Sequence, residues 1–92
     1  MHTIKRGHDK FFIGETEENP IAEITFIKEG NTLIVNHTYV SNDLRGQGVA
    51  AKLVEHVINY AKNENKKIIP TCSYVATYFK RHPQASDVLA AK

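Results

Sequence analysis

Three features of this sequence bring together residue types that can do chemistry: a glycine-bearing turn, a histidine just before it and a lone cysteine further along. The turn covers residues 40–50 and reads VSNDLRGQGVA. Gly46 and Gly48 leave no side chains at the point where backbone N–H groups emerge at the start of a helix. An anion can approach those N–H groups and meet the positive end of the helix dipole. The turn therefore predicts a phosphate-binding site.

His37 and Cys72 are the side chains best suited to moving a proton or a chemical group. His37 precedes the turn, and the reference pKa of an imidazole, about 6.5, suits a base that takes a proton from an ammonium group. Cys72 is a candidate nucleophile as a thiolate, or a candidate acid as a thiol with a reference pKa near 8.5. The alternatives are a hydrogen-bonded histidine within a sheet and a small buried hydrophobic residue. The other histidines lack metal-ligand spacing, so we expect no metal site.

The core of the turn, residues 45–50, resembles the Q/R-x-x-G-x-G/A signature of the GNAT acetyltransferase superfamily. In that superfamily, the amides of the signature hold the pyrophosphate of acetyl-coenzyme A. The motif differs from a Walker A loop and from a dinucleotide fingerprint, because the residues that complete those patterns are absent. The resemblance therefore implies that acetyl-coenzyme A is bound by Val40, Arg45, Gly46, Gln47, Gly48, Val49 and Ala50.

Further matches over residues 9–83 narrow this resemblance. His37-Thr38, Pro70-Thr71-Cys72 and Arg81-His82-Pro83, together with the turn, are similar to the minimal, single-domain GNAT-related family called small N-acetyltransferase domain proteins. This resemblance implies acetyl transfer to an amine, with His37 as candidate base and Cys72 as candidate nucleophile or acid.

The sequence is shorter than the larger GNAT enzymes, which add helices before the first hairpin and strands after the last helix. Those parts wall the acceptor site, so we expect an open, shallow groove and a protein or peptide amine as acceptor. Phe79 stands where larger relatives often carry a tyrosine that protonates the coenzyme thiolate, so we expect Tyr78 and Phe79 to pack in the core. Lys80 and Arg81 are candidates for contacting an outlying phosphate, or form a solvated helix end.

The elements that must position these residues can be read from hydrophobic periodicity. Residues 10–15 and 67–71 are short apolar runs, and residues 21–28 alternate with a period of two, as in a half-buried strand. Residues 32–40 predict a central strand with Leu33, Val35, His37 and Tyr39 on one side and Ile34, Asn36, Thr38 and Val40 on the other.

Apolar residues recur at three- and four-residue spacing from Val49 to Ala61, which predicts a helix of about four turns. A second helix follows from Ser73, as its cap, to about His82, where Pro83 stops it. The predicted fold is a mixed α/β (α+β) sheet: antiparallel hairpin strands, a β-α-β crossover and a short C-terminal helix. The strands at residues 32–40 and 67–71 are expected to be parallel. Residues 1–8 show little pattern, and for residues 84–92 we expect either a last turn or a frayed end.

Composition limits the function classes. The 92 residues suffice for one domain, and 41% hydrophobic with 24% charged residues is typical of a folded globular protein. Cys72 has no partner for an intrachain disulfide, and there is neither a signal-peptide pattern nor an apolar run long enough for a membrane span, so we expect a cytoplasmic protein. We also expect a monomer.

Two other functions remain open. The first is a coenzyme-binding or acyl-sensing module with little turnover, which the missing acceptor walls favour. The second is a small nucleic-acid binder that uses the basic cluster at residues 62–67. The net charge of only +2 argues against nucleic acid, because binding domains usually concentrate basic residues in a stripe. The cluster is equally typical of a solvated helix C-terminus.

Overall fold

The computed structural model describes residues 3–90, which form a five-stranded sheet, two α-helices and two 3-10 segments. The strands are β1 (Lys5–Gly7), β2 (Lys10–Ile13), β3 (Ala22–Glu29), β4 (Thr32–Val40) and β5 (Lys67–Pro70). The helices are α1 (Val49–Asn63) and α2 (Ser73–Arg81), and the 3-10 segments are Asn42–Leu44 and Pro83–Val88. Within residues 3–90, no helix is both long and apolar enough to cross a membrane.

The sheet follows chain order, β1-β2-β3-β4-β5, with antiparallel pairs everywhere except between β4 and β5, which are parallel. Glu29 pairs with Thr32, so β3 and β4 are joined by a two-residue turn in which Gly30 adopts φ 58°. Helix α1 connects β4 to its parallel neighbour. The predicted mixed sheet, the hairpin, the β-α-β crossover and the short helix near the C-terminus are confirmed.

Strand β1 was not predicted, because Lys5 and Arg6 face solvent and leave no apolar alternation to read. It pairs with β2 through a turn at Asp9, which adopts φ 58°. Two residues of the region expected to lack pattern, 1 and 2, lie outside the described part, as do residues 91 and 92. Near the other end, Pro83–Val88 forms a 3-10 segment, which is the last turn, one of the two expected outcomes.

Helix α1 packs its apolar stripe on one face of the sheet. Leu53, Val54 and Val57 are at most 1% exposed, and they meet β-strand residues such as Ile24 and Leu33 in one core. Every buried residue of α2 and of Pro83–Val88 belongs to that same core. Within residues 3–90, both helices therefore cover the same face of the sheet. The outer face carries exposed apolar residues, namely Ile27, Tyr39 and Ile69.

A bulge in β4 changes which side chains share a face. Phe26 pairs with Val35 while Thr25 pairs with His37, so Asn36 is an extra residue in β4. Beyond it, Thr38 pairs with the fully buried Ile24 and therefore lies on the core face. The predicted grouping of His37 with Val35 is wrong, because the inserted residue shifts the period of two by one position.

The start of α2 also differs from the prediction. Cys72, not Ser73, occupies the N-cap, with extended backbone angles of φ −79° and ψ 131°. The difference is one position, but it places the thiol at the helix N-terminus, where backbone N–H groups lack intrahelical acceptors. The cap position thus brings the sulfur into the positive field of α2.

Truncating Leu53 to alanine is expected to lower the free energy of unfolding by about 2–5 kcal/mol, because the side chain is fully buried and leaves a cavity. Lys52→Ala, one position earlier and exposed on the same helix, should change it by less than about 0.5 kcal/mol. Urea denaturation monitored by circular dichroism measures both. Equal losses would show that α1 does not pack through the Leu53 stripe.

Candidate functional site

The glycine-bearing turn is anchored at both ends by buried side chains. Within residues 40–50, Leu44 precedes the two glycines at 6% exposure and Val49 follows them at 4%, and both pack in the core. The N–H of Ser41 donates to the carbonyl of Ile21 at 2.8 Å, which ties the start of the turn to β3. Between these anchors the chain is exposed. The turn is therefore a fixed loop whose middle faces solvent.

Two left-handed glycines shape this exposed middle. Gly46 has φ 81° and Gly48 has φ 72°, a region that other L-residues enter only with strain. A Cβ added at either position would meet no atom within 4 Å, so the space above both glycines is open. The backbone can therefore approach a ligand closely at both positions.

The main-chain N–H groups of residues 46–51 have no protein acceptor within residues 3–90. The first hydrogen bond of α1 runs from the N–H of Lys52 to the carbonyl of Gly48, at 3.2 Å. No side chain caps this helix. Six successive donors are thus left for solvent or a ligand at the positive end of a 15-residue helix, an arrangement that attracts an anion.

These donors border a cavity of about 170 Å³. Its lining contains six of the seven residues predicted to bind the coenzyme, namely Val40, Arg45, Gly46, Gly48, Val49 and Ala50, together with Leu44, Ala51 and Tyr74. Gln47 lies apart from the lining, and its amide donates to the carbonyl of Asp43 at 3.1 Å. Tyr74, 40% exposed, was missed because α2 is distant in sequence and carries no motif for this cavity.

Next to the cavity, β4 and β5 separate. The carbonyl of Val35 accepts the N–H groups of Thr71 at 3.0 Å and Cys72 at 3.2 Å, and these are the last hydrogen bonds between main-chain groups of the two segments in the described residues. Beyond this point β4 runs on to Val40 while the chain after β5 turns into α2. In the widening gap, the hydroxyl of Thr38 lies 3.8 Å from the sulfur of Cys72.

The pKa of the Cys72 thiol is lowered from the ordinary value of a cysteine. Burial raises this pKa, but the N–H of Val75 and the hydroxyl of Thr38, followed by the N–H groups of Tyr74 and Thr38, together outweigh it. These donors stabilise the thiolate, although the side chain forms no formal cap hydrogen bond with α2. The structure thus makes Cys72 a partly exposed thiol at a helix N-terminus, with more thiolate at neutral pH than a free cysteine has.

His37 lies on the other face of the sheet. Its Nε2 is 3.7 Å from a carboxylate oxygen of Glu23, and its side chain is 56% exposed. The bulge at Asn36 turns His37 away from the face on which Thr38 meets Cys72. The structure therefore does not form a Cys–His pair, and the two predicted catalytic residues approach the gap from opposite faces. Glu23 and Thr38, their actual neighbours, were missed because a bulge leaves no clear mark in a sequence.

The aromatic pair of α2 packs in the core, as predicted, with Tyr78 at 8% and Phe79 at 5% exposure. Burial raises the pKa of Tyr78, and the charge of Glu55 adds to this rise.

Tyr78 borders a separate depression of about 360 Å³ between α1 and α2, which contains the carboxylate of Glu55. This depression is larger than the cavity at the turn, but none of residues 46–51 lines it. Lys80 and Arg81 are exposed on the last turn of α2.

Comparisons with known proteins agree on one family. The model of a family described as GCN5-related N-acetyl-transferase matches residues 10–88. A GCN5-like protein of Staphylococcus aureus, solved by NMR in solution, is 38% identical with a TM-score of 0.81, and the match covers 98% of this chain and 89% of that one.

Two other relatives are more distant. An uncharacterized N-acetyltransferase of Methanocaldococcus jannaschii is 27% identical in an alignment of 73 positions, and the match covers 72% of this chain and 32% of that protein. The chain thus spans about a third of the length of this curated relative. A GNAT family acetyltransferase of Elizabethkingia anophelis, solved with acetyl-CoA bound, shares the fold with a TM-score of 0.57 at 18% identity, over 78% of this chain and 50% of that one.

Replacing Thr38 with valine is expected to raise the pKa of Cys72, because the variant loses a hydroxyl that stabilises the thiolate. The thiolate fraction at pH 7.5 then falls, and alkylation by iodoacetamide should slow roughly threefold. Alkylation rates measured from pH 6 to pH 10 give the pKa directly. Thr71→Val is the matched control, because its hydroxyl donates to the Val35 carbonyl instead. Unchanged rates in Thr38→Val would contradict the assignment.

Proposed function

The chain belongs to the GCN5-related N-acetyltransferase family, and on this premise we propose that it binds acetyl-coenzyme A through residues 45–50 and transfers the acetyl group to an amine. The observation that carries the proposal is the row of six unpaired N–H groups at the start of α1, set beside a cavity. A diphosphate presents several negative oxygens, and consecutive backbone donors bind such a group without a metal.

The coenzyme supplies an acetyl thioester when bound. The residues of this chain bind the coenzyme and transfer the protons. The amides of residues 46–51 bind the diphosphate, and the exposed guanidinium of Arg45 adds positive charge at the same edge. Val40 and Tyr74, which also line the cavity, provide apolar contact. The acetyl group is then directed to the gap where β4 and β5 separate, between Thr38 and Cys72.

Acetyl transfer requires the amine to lose a proton and the leaving thiolate to gain one. His37 is the candidate base: it accepts a proton from the ammonium group, so that the nitrogen lone pair can attack the thioester carbonyl. Cys72 has two candidate roles. As an acid it gives its proton to the coenzyme thiolate; as a nucleophile its thiolate takes the acetyl group, releases the coenzyme thiolate and passes the acetyl group to the amine.

The acceptor is proposed to be an amine on a protein or peptide. In support, both helices of residues 3–90 lie on the core face, so His37 sits on an outer face that neither helix covers. A flexible segment can lie across such a face with its amine at the gap. The exposed Tyr39 and Ile27 offer it apolar contacts on that face.

A coenzyme-binding module with little turnover is the alternative that the same open face favours. Incubation with acetyl-coenzyme A followed by mass spectrometry is expected to add one acetyl group to Cys72 if the thiol is the nucleophile, and none to Cys72→Ala. Transfer to amine and peptide libraries then separates enzyme from module: coenzyme binding without any acetylated acceptor would support the module.

Gly48→Ala is expected to weaken coenzyme binding roughly tenfold, about 1.4 kcal/mol, because the new methyl group enters the open space above the free amides. Gly30→Ala is the matched control: it has a similar left-handed φ of 58° and equally open surroundings, but lies in the β3–β4 turn. Both variants should lose about 1–2 kcal/mol of stability from backbone strain.

A coenzyme titration followed by backbone amide NMR measures this. Residues 45–50 should shift first in the wild type and in Gly30→Ala, with weaker binding only in Gly48→Ala. Equal affinities in both variants, or shifts centred on residues 62–67, would overturn the proposed cradle. Oligonucleotide binding with a steep salt dependence and no coenzyme response would favour the nucleic-acid alternative.

A further inference from the structure

Glu23 uses its two carboxylate oxygens for two different partners on the outer face of the sheet. One oxygen is 2.8 Å from the ammonium of Lys10 on β2, and the other is 3.7 Å from Nε2 of His37 on β4. The side chains of Lys10 and Glu23 are only 16% and 18% exposed, whereas His37 is 56% exposed. The Lys10–Glu23 ion pair is thus mostly buried, and the imidazole of His37 beside it is accessible to solvent.

The position of Glu23 is fixed by contacts from the two neighbouring strands, and its partner Lys10 is held in turn by a loop. It lies between β2 and β4 in the sheet, where Phe12 and Tyr39 are its cross-strand neighbours. Lys10 also donates to the carbonyl of Glu17 at 2.6 Å, so the ammonium cannot swing away. A carboxylate held this firmly keeps its free oxygen in one place, unlike a carboxylate in an exposed surface ion pair.

We propose that Glu23, anchored by Lys10, is a positioning residue that fixes the imidazole of His37. Nε2 carries the proton and faces the carboxylate, which leaves Nδ1 as the atom that accepts a proton from the acceptor amine. This inference rests on the proposed function for the amine, but the orientation of the ring is a property of the protein alone. The Nε2 to Glu23 separation exceeds a hydrogen bond, and such contacts often tighten when substrate binds.

The charges balance in this arrangement. Before transfer, the ammonium of Lys10 offsets the charge of the Glu23 carboxylate, and the form of His37 that can act as the base is the one with Nδ1 unprotonated. When Nδ1 takes the proton of the ammonium group, the imidazolium forms 3.7 Å from the carboxylate, which stabilises the new charge. Within residues 3–90, Glu23 is the only acidic side chain in ion-pair range of His37. Lys10 on β2 forms the ion pair with Glu23, and Thr25, the cross-strand neighbour of His37 on β3, is uncharged.

Cys72 and Thr38 do not take part in the positioning of His37. The thiol and Thr38 lie on the core face, and the bulge at Asn36 separates them from His37. Glu23 therefore acts on the base alone. A change at Glu23 should leave the alkylation rate of Cys72 and the affinity for coenzyme as they are in the wild type.

The test uses Glu23→Gln, which keeps the shape of the side chain and removes its charge, with Glu29→Gln on the exposed end of β3 as matched control. In the full chain, the nitrogen NMR spectrum of the neutral His37 ring should show mainly the tautomer with the proton on Nε2. The share of this tautomer should fall in Glu23→Gln and stay unchanged in Glu29→Gln. An identical tautomer distribution in the wild type and Glu23→Gln overturns the proposal, whether or not the protein turns over.

Activity provides the second measurement. Glu23→Gln should lower kcat roughly tenfold with an unchanged KM for acetyl-coenzyme A, and should have no further effect in a His37→Ala background. Lys10→Met, which removes the anchor but keeps the carboxylate, should lower kcat in the same direction by a smaller factor. A full additional loss in the His37→Ala background would overturn the positioning role. If the wild type fails to bind coenzyme, the proposed function falls, while the ring spectrum still decides the orientation.

Discussion

The site depends on where the parallel pairing of β4 and β5 ends. The Val35 carbonyl accepts two N–H groups, from Thr71 and Cys72, and the chain after β5 then leaves the sheet to begin α2. Strand β4 continues for five more residues, held by β3 alone. Past Val35, β4 loses its main-chain pairing with β5 and keeps its pairing with β3. Here the gap gives access to both faces of the sheet at one point.

The glycine-bearing turn stays open for a related reason. Its ends are tied down by Leu44 and Val49, and most of the stability of α1 comes from its buried stripe rather than from its first turn. The helix can therefore leave its first N–H groups unpaired, provided that they remain exposed to water or meet a ligand. The left-handed angles of Gly46 and Gly48 keep that surface clear of side chains.

The bulge at Asn36 distributes the polar groups between the two faces. Because of the bulge, Thr38 lies on the core face near Cys72, and His37 lies on the outer face near Glu23. A regular strand would have placed His37 with Val35, against the helices, where an imidazole without partners would be costly to bury. One extra residue thus keeps the histidine accessible and still beside the gap.

Much of this organisation is determined by the sequence. The periodicity of residues 49–61, the Gly30 turn and the alternation in residues 21–28 are local patterns, and each produced the element it predicts. The predicted coenzyme residues also surround one cavity, with the exception of Gln47, because they follow one another on a single turn.

What the sequence left undecided depends on contacts between distant segments. Strand β1 exists because β2 offers it an edge, although its own residues are polar. The bulge at Asn36, the cap at Cys72 and the line from Lys10 through Glu23 to His37 each require two or three strands to be in register. Register is a property of the assembled sheet, since one inserted residue reverses every side chain that follows it. The sequence by itself could therefore name His37 and Cys72, but only the folded sheet decided that they lie on opposite faces.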